Sequence, residues 1–592
     1  MNKIFKNTLG AGVLAMISLF SFSCSDTWDD HYESTSGLTY DGTLMGYLES
    51  KSELSDFVDI LKATGYDQEL KASQVLTVLA PMNGTFKKDS LLAEIANGQK
   101  KTVIDEFVKN HICRYNVSVG AKEQTVTMLN KKNINIGTLS TAKIGEAEAD
   151  VMNVSCNNGV VHVIKEYLPY QYNIYEYLAK DYRENAAKYE TTAPAAEEGE
   201  EETETPDFET WYGYLNELYV DSLDEARSVS RGVDENGDNI WVDSVVISNN
   251  KILRRMDAYL YREDSTYLTI LPSFEAYNNR YQGIKGLFNW NISYNSDEAV
   301  RDSMTRYFAH YFTMCDLSYN MSDAMNGNTQ NDSLFSTVFW RGNWPYHVYY
   351  NPFASDGIMA AKTSEFECSN GKVYRMDHIP FDVYSNIFTK ITLEAEYRNY
   401  VYEDGENAFT NKNTTNYNMV TNTADSVSGS GYLHVMPITS NRNTEITFQI
   451  PNTLSGQYDI YVKFLPIQVW DTTKTQLPVQ FRASIYERNN QNGAYPAETR
   501  PTYEFQNGSS KNFQTIPQSI DSVYVGTYKF NYCYYSTSAG VLLKLESYVL
   551  GSQSSKFTKE MLIDKIVLVP NRTVHDSDGK YIGEATETRR RK

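Results

Sequence analysis

A strand that runs into proline loses its ladder hydrogen bond there, because proline has no backbone N–H. The chain does this twice: in LTVLAPMNGTF, Leu76 to Phe86, and in a weaker copy, LTILPSFEAY, Leu268 to Tyr277. Each copy predicts an apolar strand that delivers the chain into a turn and then a helix, the first turning through Asn83-Gly84.

The surroundings of the two copies repeat in the same order. Upstream, Leu54, Phe57, Val58 and Leu61 are echoed by Phe208, Trp211, Tyr212 and Leu215, both sets at the i, i+3, i+4, i+7 spacing of one helix face. One helix earlier, Leu44, Tyr47 and Leu48 are echoed by Ile174, Tyr177 and Leu178. Downstream, a histidine near the end of an apolar-rich helical stretch, His111 in EFVKNHI and His310 in RYFAHYF, precedes a Cys-x-Asn-Gly strand start at Cys156 and at Cys368. The chain thus contains a tandem repeat at domain scale.

This ordered set resembles the fasciclin domain family, with Thr77 to Phe86 as its first motif, His111 as its central histidine and NGVVHVI, Asn158 to Ile164, as its second motif. The resemblance covers residues 40–170 and implies an α/β domain that binds or adheres without making or breaking bonds. Over residues 171–388 it is looser. Phe274 stands where the first copy has Asn83, and Lys372, Tyr374 and Arg375 are expected to interrupt the closing strand. His111 and His310 read as satisfied structural histidines in preference to catalytic bases. The second copy also has a longer gap between its first two helices, filled by TTAPAAEEGEEETETPD, residues 191–207, which reads as a solvated acidic loop.

From Ile391 the pattern becomes all-β. Ile446, Phe448 and Ile450 alternate, as do Tyr458, Ile460, Val462 and Phe464, and then Val541, Leu543 and Leu545. These period-two runs between turn-rich segments predict a two-sheet sandwich or jelly roll over residues 389–572, before a tail at 573–592 that ends in RRRK. The expected fold class is multidomain α+β: two fasciclin-like α/β domains followed by an all-β sandwich. The ends of the sandwich, ITLEAEY from Ile391 and IDKIVLVP from Ile563, with GQYDIYVKF between, resemble the galactose-binding-like jelly roll of carbohydrate-binding modules. That resemblance implies a sugar stacked on a loop aromatic. Trp470 is the first candidate and Tyr495 the second, with Asn490 or Asn492 supplying hydrogen bonds; plain loop packing is the alternative. It also implies a structural calcium held by Glu394, Glu396 and Asp564, against the alternative of outward-facing strand carboxylates.

At the N-terminus, Lys3 and Lys6 precede an apolar run from Leu9 to Phe22 and then Ser23-Cys24, an export signal too short for a membrane span. Cys24 resembles the lipidated cysteine of bacterial lipoproteins, which makes residues 1–23 a signal peptide and 24–39 a tether; ordinary secretion is the alternative. The acidic SDTWDD that follows is similar to the signal that sends lipoproteins of some Gram-negative bacteria to the cell surface. The expected location is therefore the outer membrane, facing the exterior, with the lipid as the membrane contact. Export admits disulfides, and Cys113 with Cys156 and Cys315 with Cys368 occupy matching places in the two copies. Buried free thiols are the alternative.

An apolar content of 41% and a charged content of 22% are those of a folded protein. The net charge of -21 repels nucleic acid and anionic membrane alike. The 46 tyrosines suit a carbohydrate or a protein surface equally. VFWRGNWPYHVYYNPF, Val338 to Phe353, is the most aromatic stretch and reads as core under a long loop or as a stacking surface. DENGDN from Asp234 imitates a calcium loop, but Asn239 and Val245 stand where glycine and glutamate are needed, so Asn236-Gly237 reads better as a hairpin turn. No histidine has a metalloprotease spacing, and no glycine loop is built to cradle phosphate. The expected function is non-catalytic: capture of a polysaccharide or oligosaccharide as an accessory to a nutrient importer. The alternative is an adhesion or structural role in which the domains bind a protein partner such as an outer-membrane transporter or receptor. A glycan hydrolase is the third reading.

Overall fold

The computed structural model describes residues 38–185, 208–223, 229–233, 239–243, 246–321, 333–338, 347–402, 413–422, 427–535 and 539–574. The signal region with Cys24, the acidic loop 191–207, the DENGDN segment, most of the aromatic stretch at 339–346 and the basic tail lie outside the described residues. The chain divides into two compact units, one of Met1–Asn173 with Tyr261–Asp264 and Cys368–Asn370, the other of the remainder.

The first unit is organised on the strand that ends at proline. Strand β1 (Leu76–Pro81) is buried at every position, as is β7 (Gly159–Ile164), and the two pair in parallel from Leu76 opposite Gly159 to Pro81 opposite Ile164. Continuous apolar runs are what a parallel pair covered on both faces requires. Around this pair, β2 (Ile112–Arg114), β3 (Gln124–Thr127), β4 (Asn133–Ile136), β5 (Lys143–Ile144) and β6 (Ala147–Cys156) complete a seven-stranded sheet in the order β2-β1-β7-β6-β5-β4-β3. Past Pro81 the Asn83-Gly84 turn does more than reverse the chain. The Asn83 carboxamide accepts from Asp56 N–H at 2.9 Å and donates to Ser52 O at 2.8 Å, which fixes the start of the helix Ser55–Thr64. That helix turns Phe57, Val58 and Leu61 into the core, as its spacing predicts.

His111 is fully buried at the end of its helical stretch. Its Nδ1 lies 2.8 Å from Phe107 O, and its Nε2 accepts from Leu168 N–H at 2.9 Å, so both nitrogens are satisfied in one neutral tautomer. His162 on β7 is equally buried, with Nδ1 accepting from Asn153 N–H and Nε2 donating to Val117 O. Burial pushes both rings down to about 4 from the ordinary 6.5. Folding therefore excludes protons that the unfolded chain takes up below pH 6.5. The stability these rings contribute is intact above that pH and is lost as the pH falls toward 4. Acidification from pH 7 to 4 is expected to cost the first unit roughly 3 kcal/mol per histidine, measurable by urea unfolding at the two pH values.

The second unit opens with the same core plan. Strand β8 (Tyr267–Pro272), β9 (Ser318–Asn320), β10 (Ser364–Cys368) and β11 (Gly371–Met376) form a sheet in the order β9-β8-β11-β10, with β8 and β11 parallel from Tyr267 opposite Gly371 to Pro272 opposite Met376. This matches β2-β1-β7-β6 strand for strand, with the same six-residue parallel register. The turn differs. Where the first copy has Asn83, the chain passes straight into the helix Phe274–Lys285, whose first turn is capped by Ser273 Oγ accepting from Ala276 N–H.

The charged residues expected to interrupt β11 do not. Arg375 finds a hydrogen-bonding partner in Asp181 and another in Tyr177 Oη, and Lys372 pairs with Glu367, so the strand runs unbroken to Met376. Val229–Val233 and Asn239–Asp243, on either side of residues 234–238, pair antiparallel.

The sandwich follows. One sheet holds β12 (Ile391–Glu394), β13 (Thr415–Thr421), β14 (Gly431–Pro437), β16 (Gln457–Phe464), β20 (Asp521–Lys529) and β22 (Met561–Pro570). The other holds β15 (Glu445–Ile450), β17 (Gln480–Tyr486), β18 (Tyr503–Glu504), β19 (Phe513–Gln514) and β21 (Val541–Ser547). The alternating residues Ile446, Phe448, Ile450, Tyr458, Ile460, Val462, Phe464, Val541, Leu543 and Leu545 are all buried between them.

One end of the sandwich is joined to the α/β part of the same unit. Cys533 N–H donates to Asn289 O at 2.6 Å, Asn289 Nδ2 donates to Asn531 O at 2.8 Å, and the Tyr535 ring meets Phe288, Phe308 and Phe312 edge-on. The two parts therefore share a core.

Candidate functional site

Strand β16 leaves the joined end at Gly456 and reaches the opposite, free end at Phe464; β20 and β22 connect the same two ends. The free end gathers the connection 465–479, the segment 515–520 and residues 558–560. They enclose a narrow cleft of about 10 Å³, room for roughly one water, lined by Pro466, Ile467, Leu477, Ile516, Thr558 and Glu560 among others. Trp470 follows a short helical turn, Ile467–Val469, and stays 47% exposed.

One side of the indole rests on His434 of β14, ring centroids 4.7 Å apart at 52°. His434 is fully buried, and its Nε2 lies 2.6 Å from Glu560 Oε1. Lys474 Nζ meets both oxygens of the same carboxylate, at 2.7 and 2.6 Å. Burial alone would raise the Glu560 pKa, but the hydrogen bonds from His434 and Lys474 outweigh it and hold the carboxyl below its usual range, ionised at neutral pH. The arrangement offers an apolar ring face beside a fixed acceptor and a fixed donor.

The other residues expected at a sugar site face elsewhere. Asn490 Oδ1 accepts from Ile292 N–H at 3.0 Å, and Asn492 Oδ1 accepts from Ala494 N–H within its own turn. Tyr495 donates to Gly540 O at 2.6 Å and lies under the Arg488 guanidinium. All three belong to the loop after β17, at the joined end, where Gly493 comes so close to Ser293 that a Cβ would sit 2.7 Å from the serine side chain. Asn490 braces the joint, Asn492 closes its own turn and Tyr495 packs against the sandwich, at the end opposite Trp470.

Glu394, Glu396 and Asp564 are brought together around the turn at Ser428–Ser430. Asp564 is fully buried and accepts from Ser428 N–H at 2.9 Å and Ser428 Oγ at 2.8 Å, with Lys463 Nζ at 2.8 Å. Glu394 lies 2.7 Å from the same Ser428 Oγ, and Glu396 accepts from Ser430 N–H at 2.9 Å. Glu396 Oε2 is buried without a hydrogen-bond partner, an oxygen open to a cation. Against it, the lysine already neutralises Asp564, and among the described residues no three side chains are grouped to hold a metal. The set does not fit calcium as it stands.

The five described cysteines are free thiols. Cys113 and Cys156 sit on β2 and β6, with two strands between them, roughly 14 Å at the ordinary strand spacing. A disulfide needs α-carbons within about 7 Å. Cys315 is fully buried, and desolvation raises its pKa well above the ordinary value. His310 differs from His111 in its partners: Nδ1 meets Tyr277 Oη at 2.9 Å, Nε2 lies 3.2 Å from Glu209, and Tyr214 stacks on the ring at 3.8 Å. It is fully buried, beside Glu209, which in turn pairs with Arg306. Of the aromatic stretch, Tyr349 packs on Phe381 and donates to Asp316, as core under a loop does.

The strand order, the buried His111 and the Asn158-Gly159 start of β7 meet in one set of residues. Residues 52–169 match the fasciclin domain. Within this fasciclin domain Asn158 ties three segments, accepting from Leu44 N–H and donating to Leu70 O and Ala72 O. No curated protein matches the chain. Among solved structures, a fasciclin domain pair from the insect cell adhesion molecule fasciclin I is 17% identical, with 22% of this chain and 50% of that chain covered at a TM-score of 0.17. This chain thus spans half of that pair. CBM35 from Cellvibrio japonicus Abf62 is 11% identical over 31% of this chain and 94% of the module, TM-score 0.16. A cellulose-specific module, CBM28, is 9% identical over 31% and 95%, TM-score 0.16.

His434, Lys474 and Glu560 escaped the sequence reading. Lys474 lies in the same connection as Trp470, but His434 comes from β14 and Glu560 from the residue before β22, and only the fold brings the two together near Trp470.

Proposed function

We propose that this protein is a non-catalytic binding protein that captures glycans at the free end of its C-terminal sandwich. The observation that supports this is Trp470. It is the half-exposed aromatic of the expected sugar-contacting residues, near a narrow cleft and a fixed carboxylate–ammonium pair, while Tyr495 is tied to Gly540 O and Asn490 to the joint. Residues 171–388 act as a second fasciclin-like domain, a reading supported by the shared strand order and register. Because this part shares a core with the sandwich, it sets the direction in which the cleft faces.

The lipid on Cys24 holds the chain at the outer membrane, facing outward, where it serves as an accessory to a nutrient importer. Among the described residues no helix is long and apolar enough to cross a membrane. Cys24→Ala is expected to move the protein from the membrane to the soluble fraction. External protease should degrade the wild-type protein on intact cells. Retention of the variant in the membrane, or protection of the wild type, would contradict the anchor or its facing.

Capture is tested by affinity electrophoresis of the full chain in gels containing neutral polysaccharides. Retardation without release of reducing ends supports binding; release of reducing ends would return the hydrolase reading.

A further inference from the structure

We propose that Glu560 and Lys474 form the polar half of the Trp470 site and read two adjacent hydroxyl groups of an uncharged sugar ring stacked on the indole. The inference rests on the capture reading above and names the class of ligand.

A pyranose laid on an indole places its apolar C–H face on the ring and its hydroxyls around the edge. The groups that read those hydroxyls must therefore lie beside the indole at its rim. Glu560 and Lys474 come to this neighbourhood through His434 and through the connection that carries the indole. Glu560 lines the cleft and touches the histidine on which Trp470 rests, and Lys474 closes on both of its oxygens from the connection that carries Trp470.

A carboxylate beside an ammonium presents acceptor and donor side by side, the complement of a diol, whose hydroxyls each donate and accept. Such charge-assisted bonds are roughly twice as strong as neutral ones. His434 holds the carboxylate from behind at 2.6 Å, so little freedom remains to be lost on binding.

Charge selects the class. The pair is neutral in sum, Asp471 in the same connection adds a negative charge, and the chain as a whole carries -21. A polyanionic glycan is repelled by that field, and a neutral one is not.

The test is calorimetric titration of the full-length protein with xylan, xyloglucan, glucomannan and galactan, and with polygalacturonate and alginate as polyanions. Trp470→Ala, Glu560→Gln and Lys474→Met are titrated alongside. The expected result is binding of at least one neutral polysaccharide, lost in Trp470→Ala and weakened about tenfold or more in each of the other two. An O-methylated form of the bound polysaccharide should fail to compete. Should Glu560→Gln not fold, Lys474→Met decides, since its side chain is 38% exposed. If the wild type binds no polysaccharide, the capture reading itself falls. If Trp470→Ala abolishes binding while Glu560→Gln and Lys474→Met bind like the wild type, the diol assignment is overturned and capture stands. Competition by the methylated form, or preference for a polyanion, overturns it equally.

Discussion

Gly159→Ala is expected to unfold the first unit. A Cβ built at Gly159 lies 1.9 Å from Leu76 O and 2.9 Å from Leu44 Cδ1, far inside any van der Waals contact. Neither neighbour can retreat easily: β1 is hydrogen-bonded to β2 on its other side, and Leu44 is fully buried in the core. The strand pair must separate or slip. The cost is about 4 kcal/mol or more, against a total stability of roughly 5–15 kcal/mol for an ordinary domain. The second copy repeats the test, because a Cβ at Gly371 would lie 1.8 Å from Tyr267 O. Urea unfolding of the full chain by circular dichroism, with limited proteolysis to assign each transition, should show Gly159→Ala removing the first unit's transition and Gly371→Ala the second's. Gly120→Ala is the control. Nothing lies within 4 Å of its Cβ, so it should change stability by no more than about 0.5 kcal/mol. A Gly159→Ala protein with wild-type unfolding would refute the close parallel pairing of β1 and β7.

Trp470→Ala is expected to abolish glycan binding and leave the fold intact. The indole is a half-exposed aromatic face in the connection that also carries Lys474, so it is the anchor on which the hydroxyl contacts depend. Truncating a central aromatic of this kind removes about 2 kcal/mol or more, a weakening of about thirtyfold. Because the residue is half-exposed and rests on His434 by one side only, the melting temperature should fall little. Tyr495→Phe should do the reverse. It loses the hydrogen bond to Gly540 O at the joined end, lowering stability by about 1 kcal/mol and leaving affinity unchanged. Equal effects of the two variants on affinity would place the site at neither end.

The strand that ends at Pro81 and its copy at Pro272 were legible because proline, glycine and apolar runs report backbone geometry locally. So were the helix faces of Phe57 and Leu61 and the alternation of Ile446 to Ile450. What was not legible depends on partners distant in sequence. Lys372 and Arg375 look like strand breakers until Glu367, Asp181 and Tyr177 are seen to satisfy them. Glu394, Glu396 and Asp564 look like a cation site until Lys463, from the middle of the sandwich, is found against Asp564. The loop with Asn490, Asn492 and Tyr495 has the composition of a sugar-reading loop. That composition equally suits a joint, since amides and tyrosines can saturate the backbone groups of a neighbouring domain, as Asn291 and Asn490 do for each other's loops. Cys113 and Cys156 repeat in sequence with Cys315 and Cys368 because the sheets repeat, and strand order then holds the first pair apart.

The most direct test of the central claim is an array of neutral and acidic glycans probed with the full-length protein and with Trp470→Ala. Binding of the wild type to one or more neutral glycans, absent from a variant with wild-type circular dichroism, is the predicted result. A folded wild-type protein that binds no glycan, or one whose binding Trp470→Ala preserves, would contradict it.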